Sequence, residues 1–127
     1  MAKKKRFGIA IDSALAEKLD YIAKSMDLNR SKLVEKAITE FVEEHNHSFK
    51  DHRCCGIMIV ETCECRVVDK VVEVYRDIIV NYTHNHIEKR CVCTMLILGD
   101  SKKVKDLHRE LILTGSKTKY IPIAHQL

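Results

Sequence analysis

Polar and apolar residues alternate over residues 6–12, Arg-Phe-Gly-Ile-Ala-Ile-Asp. Phe7, Ile9 and Ile11 fall on one face, and Arg6, Gly8 and Ala10 on the other. A period of two predicts a short half-buried strand, which cannot persist without a pairing partner. The period then changes. Asp12 or Ser13 can cap a helix carrying Leu15, Leu19, Ile22 and Met26 at helical spacing. Asp27-Leu28-Asn29-Arg30 reads as a turn and Ser31 as the next N-cap. Val34, Ala37, Ile38, Phe41 and Val42 form a second helical stripe. Residues 43–53 are polar and weakly periodic. They read as a helix end and a solvated linker, whose His45, His47 and His52 offer at most adventitious metal binding.

The second half is richer in β-branched residues. Ile57–Val60 predicts a strand that begins near Cys55. Val67, Val68, Val71, Val72, Tyr75, Ile78 and Ile79 predict a helix over 66–80. Tyr82–His86 and Cys91–Leu98 read as strands joined by the polar loop Ile87–Arg90. Gly99-Asp100-Ser101 starts a helix through Val104, Leu107, His108 and Leu111 that Gly115 can end, with His108 on its face. Lys119–Ile123 is a last strand, which Pro122 assigns to a sheet edge. The fold class is therefore α+β. A βαα module over 1–47 and a linker over 48–54 precede a ferredoxin-like βαββαβ domain over 55–127.

Composition changes this picture little. The chain has 127 residues, 46% hydrophobic and 31% charged, which is ordinary soluble globular material. No apolar run approaches the roughly 18 residues of a membrane span, and no apolar segment follows the basic N-terminus as in a secretory signal. Six cysteines without export fit a reducing, cytoplasmic setting, where metal binding or redox sensing outweighs a disulfide framework. The net charge is +4. Its one local concentration is Lys3-Lys4-Lys5-Arg6.

One strand and two helices in so short a module cannot bury their apolar faces alone. Two copies can, by pairing their strands into an antiparallel ribbon and interlocking the helices. This is the ribbon-helix-helix arrangement, whose ribbon enters the DNA major groove. Double-stranded operator DNA and a second copy of the chain are thus the expected partners. Arg6, Gly8 and Ala10 would face the bases, with Lys4 and Lys5 leading in. The start of the second helix at Asn29, Arg30 and Ser31 would offer N–H groups to a phosphate.

His84-Asn85-His86 and Cys91-Val92-Cys93 carry the other chemistry. Residues at i and i+2 on a strand share a face. A hairpin register pairing His86 with Cys91 also pairs His84 with Cys93, which gathers two imidazoles and two thiols, the ligands of Zn, Cu and Ni. Cys93 is a ligand or a small buried hydrophobe. Cys63 and Cys65, read as sharing one strand face, form a second thiol pair: ligands of a second site or of a neighbouring subunit's site, a redox switch or an incidental pair. Cys54 and Cys55 are adjacent and point oppositely. No catalytic constellation is visible, although a two-His, one-Cys zinc site with an open position can activate water.

With these residues in place, the chain resembles the nickel-responsive NikR transcriptional regulators. The markers are Arg6–Asp12, Asn29-Arg30-Ser31, the strand after Gly56, His84-x-His86, and Cys91 eight residues before Gly99-Asp100. The resemblance implies a C-terminal ACT-type domain that tetramerises and binds one transition-metal ion per subunit, Ni(II) in the family. His84, His86 and Cys91 match three family ligands. The fourth, a histidine from a neighbouring subunit's helix, corresponds to Glu73. The spacer between His86 and Cys91 is one residue shorter than the family's, and Cys93 stands where a carboxylate is usual. Lys32 and Lys36 replace acidic residues of the second helix. These departures favour Zn(II) or Co(II), with Cu a further option. The expected role is a metal-responsive DNA-binding transcriptional regulator. The alternative is the same architecture sensing thiol oxidation or a small molecule.

Overall fold

Asp12 starts the first helix: its carboxylate accepts hydrogen bonds from the backbone N–H groups of Ala14 and Leu15 at 3.2 and 3.4 Å. The computed structural model describes residues 3–124, and its contacts divide the chain into Met1–Glu40 and Phe41–Leu127. Helix α1 spans Ser13–Ser25. It ends where Asp27 enters the left-handed region (φ 57°) and Leu28 N–H reaches back to Ala23 O at 2.8 Å. Helix α2 spans Arg30–Glu44. Its cap is Asn29 rather than the expected Ser31. Asn29 Oδ1 accepts from Lys32 N–H at 2.8 Å, which places Ser31 inside the first turn.

The expected strand over 6–12 does not form in the single chain. Among the described residues of this unit no second strand offers a ladder, and a strand without one leaves its N–H and C=O groups to water. Phe7, Ile9 and Ile11 are 72, 59 and 43% exposed. Leu15 and Ile22 on α1 and Met26 at its C-cap are exposed as well, so most of the apolar stripe read from the sequence faces outward in one copy.

The second unit contains β1 (Arg53–Thr62), α3 (Cys65–Val74), β2 (Ile79–Ile87), β3 (Arg90–Asp100), α4 (Ser101–Leu113) and β4 (Lys117–Ala124). The sheet order is β2-β3-β1-β4 and every neighbouring pair is antiparallel, the ferredoxin-like arrangement. β4 lies at an edge, as Pro122 requires. Met58 and Val60 of β1 and Cys93, Met95 and Ile97 of β3 pack with Val68 and Val72 of α3. Val104, Leu107 and Leu111 of α4 complete this core. Gly115, at φ 82°, ends α4 as anticipated.

The helix expected over 66–80 stops at Val74. Tyr75 caps it, a 3-10 turn covers Arg76–Ile78, and β2 begins at Ile79. The run Ile78-Ile79-Val80 satisfies both periods, and the strand wins because Ile78 is buried beneath β3. A Cβ on Gly99 would lie 2.4 Å from Ile78 Cγ2, so Gly99 makes that seat. The polar stretch that closes and follows α2 is also not simply solvated: Glu44, the last residue of α2, and His47 are buried.

Gly56 has a comparable duty. A Cβ there would meet the Tyr120 ring at 2.5 Å. Gly56→Ala will destabilise the protein by about 1–3 kcal/mol through overpacking. The expected readout is a lower urea midpoint with an unchanged slope; an unchanged midpoint would mean that Tyr120 moves aside freely.

Candidate metal centre and nucleic-acid interface

The β2–β3 hairpin has the register read from its sequence. His84 pairs with Cys93 and His86 with Cys91, across a tight turn in which Glu88 adopts φ 57°. Thr62 at the end of β1 also pairs with Cys91, so the chain leaving β1 enters α3 beside it. The first residue of α3 is Cys65. One donor atom from each of Cys65, His84, His86 and Cys91 lies within 4.8 Å of the other three. The sulfurs of Cys65 and Cys91 are joined as a disulfide, with their Cα atoms 6.1 Å apart. His86 Nδ1 lies 3.5 Å from Cys91 Sγ.

Further contacts orient this group. His84 Nδ1 is 3.9 Å from Asp69 Oδ1, and that carboxylate accepts from the Tyr82 hydroxyl at 2.7 Å. His84 Nε2 is buried and has no hydrogen-bond partner among the described residues. A carboxylate 3.9 Å from one ring nitrogen and an unpartnered second nitrogen resemble the arrangement that presents histidine to a metal. The donor set is two imidazoles and two sulfurs, which suits tetrahedral coordination of Zn(II) or Co(II). Both thiols must be reduced for both to ligate.

The remaining sequence candidates lie elsewhere. Cys93 is fully buried in the core, where burial pushes its thiol up in pKa, and its Sγ lies 3.5 Å from the Tyr82 hydroxyl. Glu73 is exposed and pairs with Arg76 at 3.3 Å. Cys63 is exposed in the bend after β1, so Cys63 and Cys65 do not share a strand face as expected. Only Cys65 joins the imidazoles. Sequence reasoning missed its partnership with His84, His86 and Cys91. The one available signal was its position just after an apolar strand.

In the first unit Lys4, Lys5, Arg6, Gly8 and Ala10 are all exposed. Lys4 Nζ lies 3.8 Å from Glu35. Arg30 is engaged by Asp20 through two hydrogen bonds of 2.8 and 2.6 Å, which lower the Asp20 carboxyl and raise the guanidinium. Arg30 therefore helps tie α1 to the start of α2. Asn29 is occupied as a cap, and Ser31 is exposed.

A ribbon-helix-helix domain model matches residues 3–46. Joined to a ferredoxin-like domain, it defines a DNA-binding transcription regulator rather than an enzyme. Curated relatives carry the name "Putative nickel-responsive regulator". The one from Dictyoglomus turgidum is 30% identical over 118 residues, 87% of each chain. Those from Pyrococcus furiosus and Methanocaldococcus jannaschii are 31 and 30% identical. They cover 88 and 84% of this chain, and 87 and 82% of their own length is matched. The chain belongs to this nickel-responsive regulator family. Among solved structures, an uncharacterized protein from Thermotoga maritima superposes with a TM-score of 0.53 at 14% identity. It covers 57% of this chain and all of its own, which is a likeness of fold.

Proposed function

We propose that this chain is a metal-responsive transcription regulator acting in the cytoplasm, with Cys65, His84, His86 and Cys91 as its metal ligands. The observation that carries this reading is the gathering of those four donors within 4.8 Å. An ion bound there would withdraw both sulfurs from oxidation and hold the start of α3 to the β2–β3 hairpin. The family name supports nickel, whereas the two-sulfur, two-nitrogen set of this chain supports Zn(II) or Co(II) more strongly. Cys65 takes the place of a ligand from a neighbouring subunit, and Glu73 and Cys93 are left out.

Assembly is the second half of the proposal. Ile57 of β1, Leu96 of β3 and Ile121 of β4 pair across the sheet on the face opposite Met58, Met95 and Tyr120. Leu96 and Ile121 are exposed, which supports pairing of C-terminal domains into a tetramer of two ribbon dimers. Arg6 and the flanking Gly8 and Ala10 would read the major groove. Lys4, Lys5, the N–H groups at Ser31 and a released Arg30 would contact phosphates. Metal that favours one arrangement of the two ribbons tightens DNA, and by reciprocity DNA must tighten metal by the same factor.

The test is fluorescence anisotropy on a duplex that the protein itself selects from random sequence, with Zn(II), with Ni(II) and metal-free. The expected result is a shift of about 5–150-fold in DNA affinity, the usual range of such coupling. Equal affinities in all three conditions would remove the metal-responsive reading.

The joined sulfurs favour one second reading, a thiol-oxidation sensor. Two thiols and one peroxide molecule would yield the Cys65–Cys91 disulfide and two waters, taking both sulfurs from any ion. Mass spectrometry after mild peroxide treatment separates the readings. A metal sensor is protected by its ion, whereas an oxidation sensor loses two hydrogens whether or not metal is present.

A further inference from the structure

A second group of imidazoles lies apart from the Cys–His centre. His45 follows α2, His47 sits in the 3-10 turn Asn46–Ser48, and His108 lies on α4. One donor nitrogen from each falls within 4.8 Å of the others. His47 and His108 are 4 and 1% exposed, so the group is built into the fold. Nδ1 of His108 faces Nε2 of His47 at 3.1 Å.

Taken as a simple hydrogen bond, that pair is poorly satisfied. One facing nitrogen donates and the other accepts. The two far nitrogens, His47 Nδ1 and His108 Nε2, are then one lone pair and one N–H, and both are buried without a hydrogen-bond partner among the described residues. Buried polar groups are rarely left that way. Although His47 Nδ1 has no hydrogen-bond partner among the described residues in either case, an ion between the facing nitrogens would use both of their lone pairs. Their separation is close to the roughly 3.3 Å edge of a tetrahedron with metal–nitrogen bonds of about 2.0–2.1 Å. Both far nitrogens then carry protons. Glu44 Oε2 stands 3.8 Å from His108 Nε2, beyond hydrogen-bond distance but on the side that the carboxylate of a carboxylate–histidine–metal relay occupies.

The surroundings fit. Glu44 is itself buried. Burial would raise its pKa, but bonds from Lys119 Nζ at 2.7 Å and Tyr120 N–H at 3.3 Å outweigh that and keep it lowered. Burial pushes His47 and His108 down to about 4. His45 is half-buried and stacks on His108, with ring centroids 4.7 Å apart.

We propose that His45, His47 and His108 form a second transition-metal site, oriented by Glu44 and separate from the Cys–His centre. All-imidazole donors suit Zn(II), Ni(II), Co(II) or Cu(II). The ion would tie the segment directly after α2 to α4. The proposal does not depend on what the Cys–His centre does.

The test titrates the reduced full-length protein with Co(II), following stoichiometry and absorption. Wild type is expected to bind two ions per chain, with thiolate charge-transfer bands from one of them. Cys65→Ser with Cys91→Ser should keep one ion that shows d–d bands and no charge transfer. Adding His45→Ala should remove that ion. In the wild-type background, His45→Ala and His108→Gln should each lower the count by one and leave the charge-transfer bands intact. His108 is buried, so circular dichroism monitors folding; if that variant unfolds, His45→Ala carries the test. A thiol-free variant that binds no Co(II), or a residual ion insensitive to His45→Ala, overturns the proposal. A wild type that binds one ion without charge transfer, lost on His45→Ala, upholds this site and removes the other.

Discussion

Cys65→Ser will weaken Zn(II) binding by more than the ~10–100-fold that loss of an outer-shell partner costs, whereas Cys93→Ser will leave it nearly unchanged. The contrast follows from where the two sulfurs sit. Cys65 belongs to the four-donor group with His84, His86 and Cys91. Serine cannot replace it, because a hydroxyl does not ionise near neutral pH and the soft thiolate is the better zinc ligand. Cys93 is fully buried, and its thiol is pushed up by burial, so it stays protonated as part of the packing around Tyr82. Competition against a chromophoric chelator under reducing conditions measures both variants. If Cys93→Ser proves the damaging change, the ligand set is the hairpin's own two histidines and two cysteines, and Cys65 is a bystander.

The hairpin was legible in the sequence because it is local. Two period-two pairs across a short polar spacer admit one register that puts all four on a shared face, and His86 does pair with Cys91. Cys65 was not legible as a partner of that hairpin. Its position beside Cys91 depends on β1 pairing with β3, where Thr62 meets Cys91. No period records a contact between a helix start and a strand 26 residues away. His47 and His108, 61 residues apart, were hidden in the same way, and the polar residues around His47 read as linker. The end of α3 was misplaced for a different reason. Valine and isoleucine serve a helix stripe and a strand equally, and the burial of Ile78 in the seat left by Gly99 decides between them. The caps show a smaller ambiguity, since Asn29 and Ser31 are both good capping residues and only the hydrogen bond to Lys32 chooses.

The strand over 6–12 stands between these cases. Its alternation was plain, yet one copy of the chain leaves Phe7, Ile9 and Ile11 exposed. This gives the largest expected effect on function: Ile9→Asp will abolish ribbon pairing and reduce DNA binding to the non-specific level. Full burial of an apolar side chain is worth about 1.5–3 kcal/mol. Six of them, three from each copy, supply roughly 9–18 kcal/mol gross against an association cost of about 4–15 kcal/mol. The margin is small enough that one residue decides it. Ile9→Asp removes two of the six and places two carboxylates in the paired face, each with a desolvation penalty of several kcal/mol. Specific binding commonly exceeds non-specific binding by about 10³–10⁷-fold, so anisotropy on the selected duplex should lose at least the lower part of that range. Arg6→Ala is the comparison. It leaves the apolar face whole and should cost only the ~1–3 kcal/mol of one base contact. Sedimentation separates the two effects, since Ile9→Asp should lower the assembly's mass while Arg6→Ala should not. Unchanged mass and DNA affinity in Ile9→Asp would mean that this face is not where the two copies meet.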